Sequence, residues 1–101
     1  MSEITPYDFE LEDTLTGSDR EAQLRRVKFL LATPVGTVPA DREFGIETDF
    51  LGRPMATAQA LYAAEVVSKI KEFCPSVKVK KVTWTGGADG KLWPKVVITD
   101  A

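Results

Sequence analysis

The 101-residue chain has no histidine and one cysteine, Cys74. Without imidazole there is no Ser-His-Asp triad, no Cys-His pair and no histidine-bearing metal site. A lone thiol makes neither an intrachain disulfide nor a thiolate zinc cluster, and it fits a reducing compartment. Long apolar runs are missing as well: nothing approaches the roughly 18 uninterrupted apolar residues of a spanning helix. The opening Met1-Ser2-Glu3 is acidic, unlike the basic-then-apolar start of a secretory signal. The expectation is therefore a chain with neither a membrane span nor an export signal. Neither sign of charge is in large excess, with 13 Lys+Arg against 15 Asp+Glu and a formal charge of −2. That balance argues against a nucleic-acid binder, although Lys78, Lys80, Lys81, Trp84 and Trp93 offer a basic, aromatic stretch.

At 44% hydrophobic and 28% charged residues, the composition is that of an ordinary globule with room for one domain. A chain this short buries roughly two thirds of its unfolded surface, which leaves little material for a deep pocket. Composition thus leans toward a binding or assembly module. The charge is also polarised: residues 1–50 carry five bases against eleven acids, residues 51–101 eight bases against four acids. Such a layout favours head-to-tail contact between unlike ends, or describes two solvated faces.

Residues 1–17 read as an acidic arm, in which Phe9 and Leu11 alternate with Asp8, Glu10 and Glu12 at strand period. One short amphipathic strand cannot bury itself, so the arm must lean on a partner or on the rest of its own chain. A single domain over 18–101 follows. Ser18 and Glu21 form a capping-box pattern, and Leu24, Val27, Leu30 and Leu31 form the apolar stripe of a first helix that Pro34 and Gly36 end near residue 32. Residues 33–56, with Pro34, Pro39, Pro54, Gly36, Gly45 and Gly52, read as an ordered loop anchored by Phe44, Ile46, Phe50 and Leu51. A second helix is expected from Thr57 to Phe73, burying Leu61, Ala64, Val67, Ile70 and Phe73 or Cys74, until Pro75 stops it.

A hairpin closes the chain: Val77 to Trp84 with a bulge at Lys80-Lys81, a turn over Gly86–Gly90, and a return from Leu92 to Thr99. Because Pro94 donates no hydrogen bond, the start of the returning strand is expected on an edge. The fold class is α+β, two main helices packed on a small antiparallel or mixed sheet built around this C-terminal hairpin.

Motifs for chemistry fail one by one. Gly90-Lys91 looks like the end of a phosphate loop, but the first glycine would fall on Thr85 and the hydroxyl after the lysine is replaced by Leu92. Asp89 stands without the alternating oxygen ligands of a calcium loop. Asp41, Glu43, Glu47 and Asp49 supply carboxylates suited to glycoside hydrolysis, yet loop-borne acids on so small a domain have little shelter to raise a pKa. No catalytic residue, metal ligand, cofactor or small-molecule substrate is assigned.

The run from Leu30 through Thr33-Pro34-Val35-Gly36 to Glu43-Phe44-Gly45-Ile46, followed by Asp49-Phe50-Leu51, resembles the baseplate-wedge and sheath-initiator family of contractile phage tails, historically called tail-lysozyme-like. The likeness covers about residues 18–101, through the second helix into Val77-Lys78-Val79. Two departures stand out: Cys74-Pro75-Ser76 occupies the place of the family's Glu-Pro-Arg, and Thr37 and Val38 replace an acid and a base after the turn glycine. Only the proline is carried over, so the chain reversal is implied and the charged contact is not.

The resemblance implies a structural, non-enzymatic protein of the virion tail baseplate, assembled in the host cytoplasm. Its implied partners are baseplate wedge proteins and the tail sheath protein, in a ring assembly, with no nucleic acid and no membrane. Candidate partner-binding residues are Cys74, Pro75 and Ser76 at the helix-strand junction and Glu43, Phe44 and Gly45 in the loop. Lys95, Val96, Val97, Ile98 and Thr99 are the expected edge for strand addition, with Val96 and Ile98 on one face. Phe44 and Gly45 have a second reading as loop anchor and positive-φ glycine. Alternative functions are a muralytic enzyme, after the family's older label, or a regulatory protein-binding module of the same fold.

Overall fold

The computed structural model describes residues 3–87 and 90–101, so the centre of the expected hairpin turn, Ala88-Asp89, lies outside the described residues. The elements in chain order are β1 (Glu3–Ile4), β2 (Glu10–Asp13), α1 (Arg20–Ala32), α2 (Met55–Phe73), β3 (Val77–Gly86) and β4 (Lys91–Asp100). The architecture is α+β, two helices and a mixed sheet that contains the C-terminal hairpin.

β4 is the centre of the sheet. β3 pairs with it antiparallel along one flank, from Val77↔Asp100 to Gly86↔Leu92, and the register shifts between Val79 and Lys81 where a bulge was expected. The other flank is taken by the arm, which runs parallel: Glu3 and Ile4 lie against Lys91 and Leu92, and Glu10 to Asp13 against Lys95 to Ile98. The expected free edge at Lys95, Val96, Val97, Ile98 and Thr99 is therefore corrected. Lys95 to Ile98 are paired on both flanks, and Thr99 pairs with Lys78 while its hydroxyl accepts from that of Thr14 at 2.8 Å. The arm leans on its own chain.

Pro94 fits this central position for a local reason. Thr5 and Thr14 donate their N–H groups to the carbonyls of Leu92 and Ile98, so the even-numbered backbone groups of β4 face the arm. Pro94 accordingly presents its missing donor to the arm. There the arm has left the ladder, advancing from Glu3 to Glu10 while β4 advances from Lys91 to Lys95.

Both helices cover the face of the sheet that carries Pro94, Val96 and Ile98, all buried. From α1 come Val27, Leu30 and Leu31, from the arm Ile4 and Leu15, and from the loop Ile46 and Phe50. Two helical expectations change. The Ser18 capping box does not form: α1 begins after Asp19, which makes no side-chain cap, and its first residue, Arg20, binds the Asp13 carboxylate through Nε and Nη2, each at 2.8 Å. In α2 the buried face is Ala58, Tyr62, Val66 and Ile70, whereas Leu61 and Val67 are 41% and 48% exposed. α2 carries two apolar stripes at helical spacing, and the one bearing Tyr62 is turned to the sheet, where its ring meets Trp84 edge-on at 5.3 Å. Of the four expected loop anchors, Ile46 and Phe50 are buried, Phe44 is half-buried and Leu51 is exposed.

Candidate functional site

The loop between the helices is built on one close backbone approach. Ile46 donates to the Thr33 carbonyl at 2.8 Å, Val35 donates to Ile46 at 3.3 Å, and Gly36 donates to Arg42 at 2.9 Å. Pro34 and Ile46 thereby form an isolated parallel bridge. Gly45 makes this approach possible: its φ is +120°, and a Cβ there would lie 2.6 Å from the Thr33 oxygen and 2.8 Å from Val35 N. Gly45 is buried under that backbone, so its place as a direct partner contact is corrected to a conformational one.

Three side chains from two elements hold the loop. Tyr7 of the arm donates its hydroxyl to the Ile46 carbonyl at 3.2 Å, and burial, then the nearby Glu47 and Glu65, raise its phenol above the usual value. From α2, Glu65 Oε2 accepts the Glu47 N–H at 2.7 Å, and one turn later Lys69 Nζ donates to the Glu43 carbonyl. These two side chains sit at i and i+4, so a single helix face grips both ends of the Glu43–Glu47 segment.

This arrangement brings the loop candidates to the helix-strand junction. Phe44 stacks against Phe29 of α1 at 5.2 Å and meets Phe73 of α2 edge-on at 5.1 Å, and Lys69 Nζ lies 5.8 Å from the centre of the Phe73 ring. Phe73 immediately precedes the junction. Pro75 and Ser76 are exposed, while Cys74 is 1% exposed in the core, where burial raises its thiol pKa. Cys74 is thus corrected from a partner contact to a core residue, because its side chain follows the inward face of α2 that ends at Ile70.

The surface that results is a ridge of Phe29, Phe44 and Phe73, with Glu43 and Lys69 on its rim and Pro75-Ser76 at one end. Phe29, at 60% exposure, is its most open member. Sequence reasoning did not single out Phe29, Lys69 or Phe73 as site residues. For Phe29 the signal was present, since it lies off the stripe of Leu24, Val27, Leu30 and Leu31 and so had to face outward.

The ridge offers contact area and a cation, Lys69, over the Phe73 ring. Of the loop carboxylates, Asp41, Glu43 and Asp49 are exposed, and Glu47 donates its backbone N–H to Glu65, a bond that leaves its own carboxylate unengaged. No group of three or more carboxylate or thiol side chains suited to a metal occurs among the described residues. A cleft of about 740 Å3 opens elsewhere, between β2 and α1, lined by Phe9, Leu11, Lys28, Ala32 and Lys95 among others.

No protein-family model matches this chain, and neither the curated proteins nor the solved structures contain a match.

Proposed function

We propose that this protein is a structural component of a contractile tail baseplate, or of a related contractile injection system, that joins wedge proteins and starts sheath assembly without catalysing a reaction. The observation that carries the reading is the loop. The residues on which the resemblance rests, Thr33-Pro34-x-Gly36 and Glu43-Phe44-Gly45-Ile46, are the ones that form the bridge and raise the aromatic ridge beside the α2 exit. In this reading the ridge, with Glu43, Phe44, Pro75 and Ser76, is the wedge contact. A partly exposed aromatic cluster, open chiefly at Phe29, resembles the anchors that dominate interface energies.

The sheath strand, in the same reading, pairs with an outer flank of β2 or β3, since both flanks of β4 are occupied within the chain. The protein would act in the virion tail baseplate after assembly in the host cytoplasm. The test is copurification: a tagged copy expressed in its source cells should sediment with tail-like particles and cross-link from Lys69 to a wedge protein. Its absence from such particles would overturn the reading. A turbidity assay on bacterial cell walls should show no clearing, and clearing abolished by Glu43→Gln would establish the muralytic alternative instead.

A further inference from the structure

The face of the sheet turned away from the helices carries an ordered pattern of charge. On β4 this face presents Trp93, Lys95, Val97 and Thr99, opposite in parity to the core residues Pro94, Val96 and Ile98. The register places Glu10 beside Lys95 and Glu12 beside Val97 on the arm side. On the hairpin side it places Lys81 beside Val97 and Lys78 beside Thr99. One rim of the sheet is therefore acidic and the other basic.

The bulge makes the two rims match. Lys78 and Lys81 are three apart in sequence, but the shift between Val79 and Lys81 sets them against Thr99 and Val97, which are two apart on β4. The lysines thus occupy consecutive positions of one sheet face, about 7 Å apart, and Glu10 and Glu12 have the same spacing by simple alternation. Without the bulge the two lysines would point to opposite faces.

Within one molecule these rims cannot satisfy each other. They lie on either side of β4, two strand spacings or roughly 10 Å apart, which is about a Debye length at ordinary ionic strength. Among the described residues, Glu10, Lys78, Lys80 and Lys81 enter no ion pair, and Glu12 has only Lys95 at 3.8 Å. In a neighbouring copy the unlike rims would be one strand spacing apart.

The backbone is disposed for the same contact. Thr14 turns its N–H to β4, so in β2 the odd-numbered groups of Leu11 and Asp13 face outward. Lys91 turns its carbonyl to Gly87, so in β3 the groups of Val82 and Trp84 face outward. Like rims repel, glutamate against glutamate or lysine against lysine, which disfavours a two-fold dimer through either edge. The unlike pairing is heterologous and extends into a chain or a ring. The cleft between β2 and α1 opens beside the acidic rim, with Glu10 and Glu12 on its wall together with Lys28 and Lys95.

We propose that copies of this chain join head to tail through the sheet, the basic rim of β3 in one copy lying antiparallel along the acidic rim of β2 in the next. The contact pairs Lys78 and Lys81 with Glu10 and Glu12 across the junction, and the open ends of such a chain keep one free rim of each sign. This inference goes beyond the baseplate reading and stands on the fold alone; where copies join, the sheath strand of that reading keeps only the rims at the open ends.

The test is sedimentation velocity of the purified full chain over a concentration series, at about 20 mM and about 500 mM salt. Concentration-dependent association beyond the dimer is expected at low salt and should be lost at high salt. The double variants Glu10→Lys/Glu12→Lys and Lys78→Glu/Lys81→Glu, checked for native circular dichroism, should each associate about tenfold more weakly or worse. An equimolar mixture of the two should restore association, because each then meets an unlike rim. A carbodiimide cross-link between Lys78 or Lys81 and Glu10 or Glu12 of differently isotope-labelled copies is expected at low salt. A native protein that stays monomeric at low salt, association indifferent to salt, or a mixture no better than its folded components would overturn the proposal. If a reversal variant does not fold, the salt dependence and the cross-link of the native chain still decide it.

Discussion

At the scale of single residues, Gly45, Tyr62 and Asp13 carry the sharpest consequences. Gly45→Ala forces a Cβ to within 2.6 Å of the Thr33 oxygen at a φ of +120°, so the loop bridge must open or strain. Urea denaturation should show a loss of about 2–3 kcal/mol, and a change below ~0.5 kcal/mol would mean the loop yields without cost. Tyr62 behaves oppositely. Its hydroxyl is buried with no hydrogen-bond partner among the described residues, and burial holds its pKa well above the usual phenol value. Tyr62→Phe removes only an unpaired polar atom and should leave stability within about 0.5 kcal/mol of the native chain or raise it, whereas Tyr62→Ala should cost about 3–5 kcal/mol. Asp13 is held below the usual carboxylate range, chiefly by its hydrogen bond from Arg20. A depressed folded pKa contributes stability above the unfolded value of about 3.9, and that contribution disappears as the pH falls through the folded pKa. The stability difference between the native chain and Asp13→Asn should accordingly be level above about pH 5 and close in acid, measured by denaturation at each pH.

At the scale of elements, the choice of face on α2 is directly measurable. Val66 is fully buried and Val67 is 48% exposed, so Val66→Ala should cost about 1–2.5 kcal/mol while Val67→Ala stays within about 0.5 kcal/mol. Equal losses would show that the helix is turned differently. The sequence could not choose between these neighbours, because Leu61-Ala64-Val67 and Ala58-Tyr62-Val66 both recur at helical spacing. The decision lies in where Trp84 and Phe50 present their rings to Tyr62, a tertiary matter. α1 and the hairpin were legible because their signals are local: a stripe broken by Pro34, and alternation interrupted at Lys80-Lys81. The arm was legible as a strand but not in its place, since a parallel pairing leaves no mark in the intervening residues. The site was half readable. Glu43, Phe44 and Pro75 could be found from the resemblance, but the ridge needs Phe29 and Phe73, which come together only when α1, the loop and α2 pack.

At the scale of the whole molecule, Cys74 reports on the integrity of the core. It is 1% exposed and its thiol is raised by burial, so the native protein should react with an aromatic disulfide reagent far more slowly than the urea-unfolded chain does. Rapid labelling in the native state would show that the junction of α2 and β3 opens on its own. The position of β4 has a different consequence, one that concerns the order of events in time. The strand at the middle of the sheet is the latest of the four in the chain, and the hydroxyl contact between Thr14 and Thr99 spans 85 residues. During synthesis the arm emerges before the hairpin and has no β4 to pair with until the hairpin is complete. Such distant pairings slow folding and leave segments unsatisfied meanwhile. The run of acids that makes the arm an acidic rim in the finished sheet also sets the unpaired arms of sister chains against one another by like charge while they wait.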